Sequence, residues 1–116
     1  MKYAIVGSRG FAKLELVAKA LDALRAGDPG LEIVSGGADG PDTEAQKWAE
    51  KNGVPCTVHA ADWDADGDKA GIKRNGKIVE DSQGMLAFWD GESPGTLDSI
   101  CRGKKRKDYP VAVYLA

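Results

Sequence analysis

Five short apolar runs, each separated from the next by a stretch long enough to cross back over a sheet, set the narrowest limit on what this chain can fold into. Tyr3–Val6, Leu31–Ser35, Pro55–His59, Met85–Phe88 and Val111–Leu115 read as strands. Between the first two, Leu14, Val17, Ala18, Leu21 and Leu24 recur at helical spacing until Gly27-Asp28-Pro29-Gly30 stops them. Ala45, Trp48 and Ala49 form the inner stripe of a second helix that starts near Asp42 and ends at Asn52-Gly53. Lys69–Asp81 is a third helix, interrupted by Gly71 and Gly76, and Leu97, Ile100 and Cys101 mark a short last one. A helical crossover returns the chain to the same end of the sheet, so successive strands pair in parallel. The expectation is a three-layer, Rossmann-like α/β sandwich, residues 1–116 forming one domain around a five-stranded parallel sheet in the order 3-2-1-4-5.

At 116 residues, 42% hydrophobic and 29% charged, the chain is long enough to bury a core without metal or disulfide staples. No apolar run approaches the roughly 20 residues needed to cross a bilayer, and Met1-Lys2 leads straight into the first strand, so a cytoplasmic location is expected. Cys56 and Cys101 lack metal-ligand spacing and read as reduced thiols. The net charge of −2 offers no global attraction to nucleic acid, although Arg102, Lys104, Lys105, Arg106 and Lys107 form a local basic turn. Asp62, Asp64, Asp66 and Asp68 alternate as in a calcium loop, but the twelfth position holds Lys73 where such a loop needs glutamate. No metal and no cofactor are expected.

In an open parallel sheet the strand-to-helix loops gather at the carboxyl ends of the strands, and ligands bind where the strand order reverses. Ser8 and Arg9, the turn Ser35-Gly36-Gly37-Ala38-Asp39-Gly40-Pro41-Asp42, the Asp62–Asp68 loop and the corner Asp90–Thr96 all fall on that rim. The pocket is expected between the loops after the first and fourth strands. Arg9 suits bidentate binding of phosphate, with the Ser8 hydroxyl and the Gly10 amide completing the cradle. Ser93, Gly95 and Thr96 open a helix whose free amides and dipole attract an anion, or whose hydroxyls simply cap it. Asp39, Asp42 and Glu44 start the second helix, where carboxylates stabilise the dipole without a ligand and suit ribose or base better than phosphate. Trp63 and Trp89 are candidates to stack on a base, Trp48 is expected in the core, and His59 is expected to be structural.

Gly7-Ser8-Arg9, the turn Ser35 to Asp42, Ala61-Asp62-Trp63 followed by Ala70-Gly71-Ile72-Lys73-Arg74-Asn75, and Ala87-Phe88-Trp89-Asp90-Gly91 with Ser93-Pro94-Gly95-Thr96 resemble the small YspA- and YpsA-related branch of the SLOG superfamily, found in bacteria and their phages. The resemblance spans almost the whole chain. It implies a Rossmann-like fold and a nucleotide or nucleotide-derived ligand held by Gly7, Ser8, Arg9, Gly36, Gly37, Ala38, Asp39, Gly40, Arg74, Asn75, Asp90, Gly91, Ser93, Gly95 and Thr96. Arg74 and Asn75 are adjacent on a helix, so at most one is expected to aim into the pocket unless Gly71 or Gly76 distorts the turn.

Two branches of that superfamily bracket the function. DprA carries a similar Ser-Gly-x-Ala-x-Gly-x-Asp turn and binds single-stranded DNA, and Ser35, Gly36, Ala38, Gly40 and Asp42 match it. The LOG branch hydrolyses nucleotide N-glycosidic bonds with a Pro-Gly-Gly-x-Gly-Thr-x-x-Glu signature, from which this turn departs by Ser35, by an extra residue before Gly40 and by its acid spacing. The expected function is therefore binding of a small nucleotide-derived ligand, as a sensor or sequestering protein. Hydrolysis with Asp42 or Glu44 as the base that orients water or stabilises positive charge on the ribose, and single-stranded nucleic-acid binding, are the alternatives. No membrane partner is expected, and a homo-oligomer is left open.

Overall fold

The computed structural model describes the backbone of residues 1–116 and every side chain except that of Asp68. The chain runs β1 (Lys2–Gly7), α1 (Glu15–Gly27), β2 (Glu32–Ser35), α2 (Pro41–Asn52), β3 (Cys56–Val58), α3 (Trp63–Asp66), a 3-10 turn (Gly67–Lys69), α4 (Ala70–Glu80), β4 (Gly84–Trp89), α5 (Pro94–Lys104) and β5 (Val111–Leu115). All strands pair in parallel in the order β3-β2-β1-β4-β5, so β1 lies at the centre and the order reverses between β1 and β4.

Period-two alternation in the central strands divides the interior into two cores. Ile5 of β1 joins Leu86 and Phe88 of β4 on one face, whereas Ala4 and Val6 join Met85 and Ala87 on the other. A strand apolar on both faces must be covered on both. Val17 and Leu21 of α1 with Ala45, Trp48 and Ala49 of α2 cover the first face; Ile78 and Val79 of α4 with Ile100 of α5 cover the second. Trp48 is in the core as expected, its indole N–H donating to Asp22 Oδ1 at 2.8 Å. His59 pairs with Asp81 (Nε2···Oδ2 2.8 Å), linking the end of β3 to the end of α4.

Two stretches differ from the sequence reading. The expected loop Ala60–Asp68 contains α3 and opens the 3-10 turn that runs into α4. Its aspartates explain this: Asp62 Oδ1 accepts the Ala65 N–H at 3.1 Å as an N-cap, and Asp66 pairs with Lys73 at 2.6 Å. The Asp68 side chain, fourth in the alternation, lies outside the described residues. The basic turn begins later than expected, since α5 continues through Arg102 to Lys104, and positive charge in a last helical turn is favoured by the dipole. No helix among the described residues is long and apolar enough to cross a membrane.

The glycine at the end of β1 admits α2 to the sheet. A Cβ on Gly7 would lie 2.4 Å from Pro41 Cγ and 2.5 Å from Pro41 Cβ, with Phe88 O at 3.0 Å. Neither the proline ring nor the strand backbone can yield that space cheaply. Gly7→Ala is therefore expected to lower stability by about 1–3 kcal/mol, the range of overpacked cores. Urea denaturation checks this, and a midpoint equal to that of the unsubstituted protein would show that α2 does not rest on β1 in this way.

Candidate ligand-binding site

A cavity of about 410 Å³ opens at the carboxyl rim, where the strand order reverses. Gly7, Arg9 and Gly10 contribute from the corner after β1, Ala38 and Asp42 from the glycine-rich turn, and Asp90, Ser93, Gly95 and Thr96 from the corner after β4. Trp63, Gly71, Ile72, Arg74 and Asn75 close it from α3 and α4, and Val6, Ile78 and Ser99 complete its lining.

The corner after β4 explains the character of one wall. Asp90 folds back to accept the N–H groups of Ser93 (2.8 Å) and Glu92 (2.9 Å), and these bonds hold its carboxyl below the usual range. Ser93 is the N-cap of α5, yet its hydroxyl caps no amide, and Thr96 Oγ1 is turned toward Ser8 Oγ at 3.1 Å. Pro94 has no N–H to satisfy. The N–H groups of Gly95 and Thr96 consequently meet no acceptor among the described residues, at the positive end of an eleven-residue helix. Capping by Ser93 or Thr96 is thus not how this helix end is satisfied.

Ser8 supports this wall from behind. It is 2% exposed, its Oγ accepts the Asp90 N–H at 3.2 Å, and its own N–H donates to Phe88 O at 2.9 Å. Its hydroxyl was expected to complete a phosphate cradle; it lies instead behind the wall, buried and outside the cavity lining, where it joins the two corners. Arg9, one residue on, is exposed, lines the cavity and forms no hydrogen bond or ion pair among the described residues.

The two arginines differ. Arg74 is immobilised, Nη1 donating to Gly36 O at 3.0 Å and Nε to Asn75 Oδ1 at 3.3 Å. Asn75 is buried and donates in turn to Gly95 O (3.2 Å) and Asp98 Oδ2 (3.1 Å), which ties α4 to the first turn of α5. Both residues line the cavity, contrary to the expectation that at most one would: the arginine chain is long enough to bring its guanidinium back beside the shorter amide.

Of the acids at the start of α2, only Asp42 faces the cavity. It is 5% exposed; Oδ2 accepts the Ala38 N–H at 3.2 Å, and Oδ1 has no partner. Burial pushes its pKa up to about 6, against the opposing pull of the Ala38 N–H, the Arg74 charge and the Gly36 N–H. Glu44 is the departure: it lies outside the lining, is half-exposed and pairs with Lys47 at 3.8 Å, since residues two apart on a helix point to different sides. Asp39 is exposed and also outside the lining, as are Gly36, Gly37, Gly40 and Gly91. Gly37 and Gly40 serve the turn itself, with φ of 73° and 89°.

Trp63 and Ile72 were not among the candidate binding residues, although the tryptophan was considered for stacking; both line the cavity and both are largely exposed. Their sequence signal is an apolar residue off the inner stripe of its helix. Trp89, the other stacking candidate, is half-buried against the second core and donates its indole N–H to Ser93 O at 3.0 Å. The basic cluster lies apart from the cavity: Arg102 pairs with Asp98 at 2.8 Å, and the Arg106 guanidinium donates to Val79 O and Ser82 O at the end of α4.

A doubly wound α/β sheet whose strand order reverses beside a rim cavity places the chain in the Rossmann-like fold class. Within it, residues 1–65 match the model of the YspA, cpYpsA-related SLOG family, and the chain belongs to that family. It is 40% identical over 108 residues to the Gene 61 protein of Mycobacterium phage D29, covering 87% of this chain and 86% of the phage protein. The fold is also that of the DNA processing protein A (DprA) of Streptococcus pneumoniae, with a TM-score of 0.77 at 23% identity over 97% of this chain. This chain spans about half of that one, 49% of its length. The protein TM1055 superposes with a TM-score of 0.71 at 17% identity, over 95% of this chain and 71% of its own.

The buried carboxyl predicts a pH signature. Asp42 holds its proton more tightly folded, with a pKa of about 6, than unfolded, near 3.8. The folded state is therefore favoured most below about pH 4, loses roughly 3 kcal/mol as pH rises to about 6, and is level above that. Asp42→Asn keeps an acceptor for Ala38 without titrating. Its melting temperature is expected to gain on the unsubstituted protein between about pH 4 and pH 6 and to hold that gain above, and parallel curves would place the carboxyl in the ordinary range.

Proposed function

We propose that this protein binds a small nucleotide or nucleotide-derived ligand at the carboxyl rim of the sheet, through Gly7, Arg9, Ala38, Asp42, Arg74, Asn75, Asp90, Ser93, Gly95 and Thr96. The observation that carries this reading is an unengaged arginine, Arg9, in the lining of the same cavity as Gly95 and Thr96, whose amides are unmet. A phosphate suits each of them: the amides donate, the helix dipole favours the negative charge, and the guanidinium adds a charge-assisted bond. Asp42, with one free carboxylate oxygen, suits a hydroxyl or amino donor elsewhere on the ligand. Binding alone is enough for a role as a sensor or sequestering protein.

A second reading, hydrolysis of a nucleotide N-glycosidic bond, draws on Asp42. A carboxyl with a pKa of about 6 exchanges protons near neutrality and can act as general acid or base. Its position beside the fixed Arg74 is compatible with that chemistry. Nucleic-acid binding, the DNA processing of the DprA relative, has less support, because Arg102 and Arg106 are engaged within the fold. An affinity for oligonucleotides that hardly changes with salt would remove it.

Mass spectrometry of nucleotides released on denaturing the purified protein tests the first reading. Intact nucleotide supports binding; free base appearing on addition of nucleoside monophosphates supports hydrolysis, and Asp42→Asn is then expected to stop turnover while weakening binding far less, since the amide oxygen still accepts a hydrogen bond. Arg9→Ala is expected to weaken nucleoside monophosphate binding by about tenfold or more, the worth of a charge-assisted bond, at an unchanged melting temperature. Unchanged affinity, measured by calorimetry, would remove Arg9 from the site.

A further inference from the structure

We infer that Trp63 is the seat for the ligand's base, so that the pocket takes a phosphate bearing a flat aromatic group and favours a purine over a pyrimidine; this rests on the phosphate-binding reading above. Trp63 is 60% exposed while lining the cavity, and Ile72, also in the lining, is 52% exposed. A large aromatic left open at a cavity mouth stands apart from the other two tryptophans, which are packed and hydrogen-bonded through their indole N–H groups. The Trp63 N–H meets no acceptor among the described residues.

The indole is held in place rather than left to drift. Asp62 caps α3, the Asp66–Lys73 pair fastens α3 to α4, and Trp63 Cη2 lies 3.6 Å from the point where a Cβ on Gly71 would sit. The ring therefore rests against the bare surface of a helical glycine and keeps much of its area open. The lining thus combines two chemistries, the apolar and exposed Trp63 and Ile72 and the unengaged Arg9 with the free amides of Gly95 and Thr96. A nucleotide has the matching pair of chemistries, and a purine offers the larger stacking face.

Calorimetry of the full chain with adenosine 5′-monophosphate, cytidine 5′-monophosphate and ribose 5-phosphate tests this, because the last probe has the phosphate without a base. The adenine nucleotide is expected to bind about tenfold or more tightly than ribose 5-phosphate, with the cytosine nucleotide between them. Trp63→Ala should erase that ranking and leave ribose 5-phosphate unchanged, Trp63→Phe should keep part of it, and Arg9→Ala should weaken all three together. Equal binding of the three probes to the unsubstituted protein, a ranking that survives Trp63→Ala, or equal loss for all probes in both tryptophan variants would overturn the inference and leave the phosphate reading standing. Failure of all three probes to bind would overturn both.

Discussion

The rim of this protein depends on a missing methyl. Gly7 lets the ring of Pro41 close onto the end of β1, at a distance no side chain would permit, and this sets the start of α2 beside the switch point rather than a layer above it. The next residue carries the placement across the crevice, since buried Ser8 joins the backbone of β4, the Asp90 amide and the Thr96 hydroxyl. Two adjacent small residues thereby fix the relative positions of α2, the corner after β4 and the first turn of α5. The groups that line the cavity are presented by these three elements and by α4, so its shape is inherited from close backbone approach.

The sheet order was legible because its cause is periodic. Apolar residues on both faces of the central strands, alternating with helix-length crossovers, allow few arrangements other than a doubly wound sheet, and Asn52-Gly53 ends α2 with a left-handed glycine as its sequence says. The gathering of the loops at one rim follows from that order. The role of each side chain on the rim was less legible, because it depends on which of several competing partners a group finds. Nothing local tells Asp42 from Glu44, both acids in the first turn of α2; their separation follows from the rotation of α2 against β1. Ser8 reads as an exposed ligand hydroxyl until the fourth corner folds over it. Arg74 and Asn75 appear incompatible on a helical wheel, which takes no account of the reach of an arginine side chain.

Charge around the cavity divides by what is already satisfied. Arg74, Asn75, Asp90 and Ser8 have their partners within the fold, and their work is to hold backbone in place. Arg9, the Gly95 and Thr96 amides and Asp42 Oδ1 do not. Of these, only Asp42 Oδ1 and the Thr96 N–H belong to buried residues, where an unmet polar group is costly and native structures keep few of them; Arg9 and Gly95 are exposed, and water serves them. Arg106, just beyond α5, is by contrast engaged in capping α4.

The mixed sign of those unmet groups constrains the ligand further. Arg9 and the helix end call for an anion, but an anion alone also enters the field of Asp42, whose carboxyl is already close to neutralisation by burial. An anion approaching without a compensating donor raises that pKa and drives proton uptake. A ligand that places a hydroxyl or amino donor against Asp42 Oδ1 has the opposite effect, stabilising the carboxylate and releasing a proton. On the binding reading proposed above, a buried, half-satisfied carboxylate favours ligands that carry a donor as well as an anion, and a phosphorylated sugar carries both.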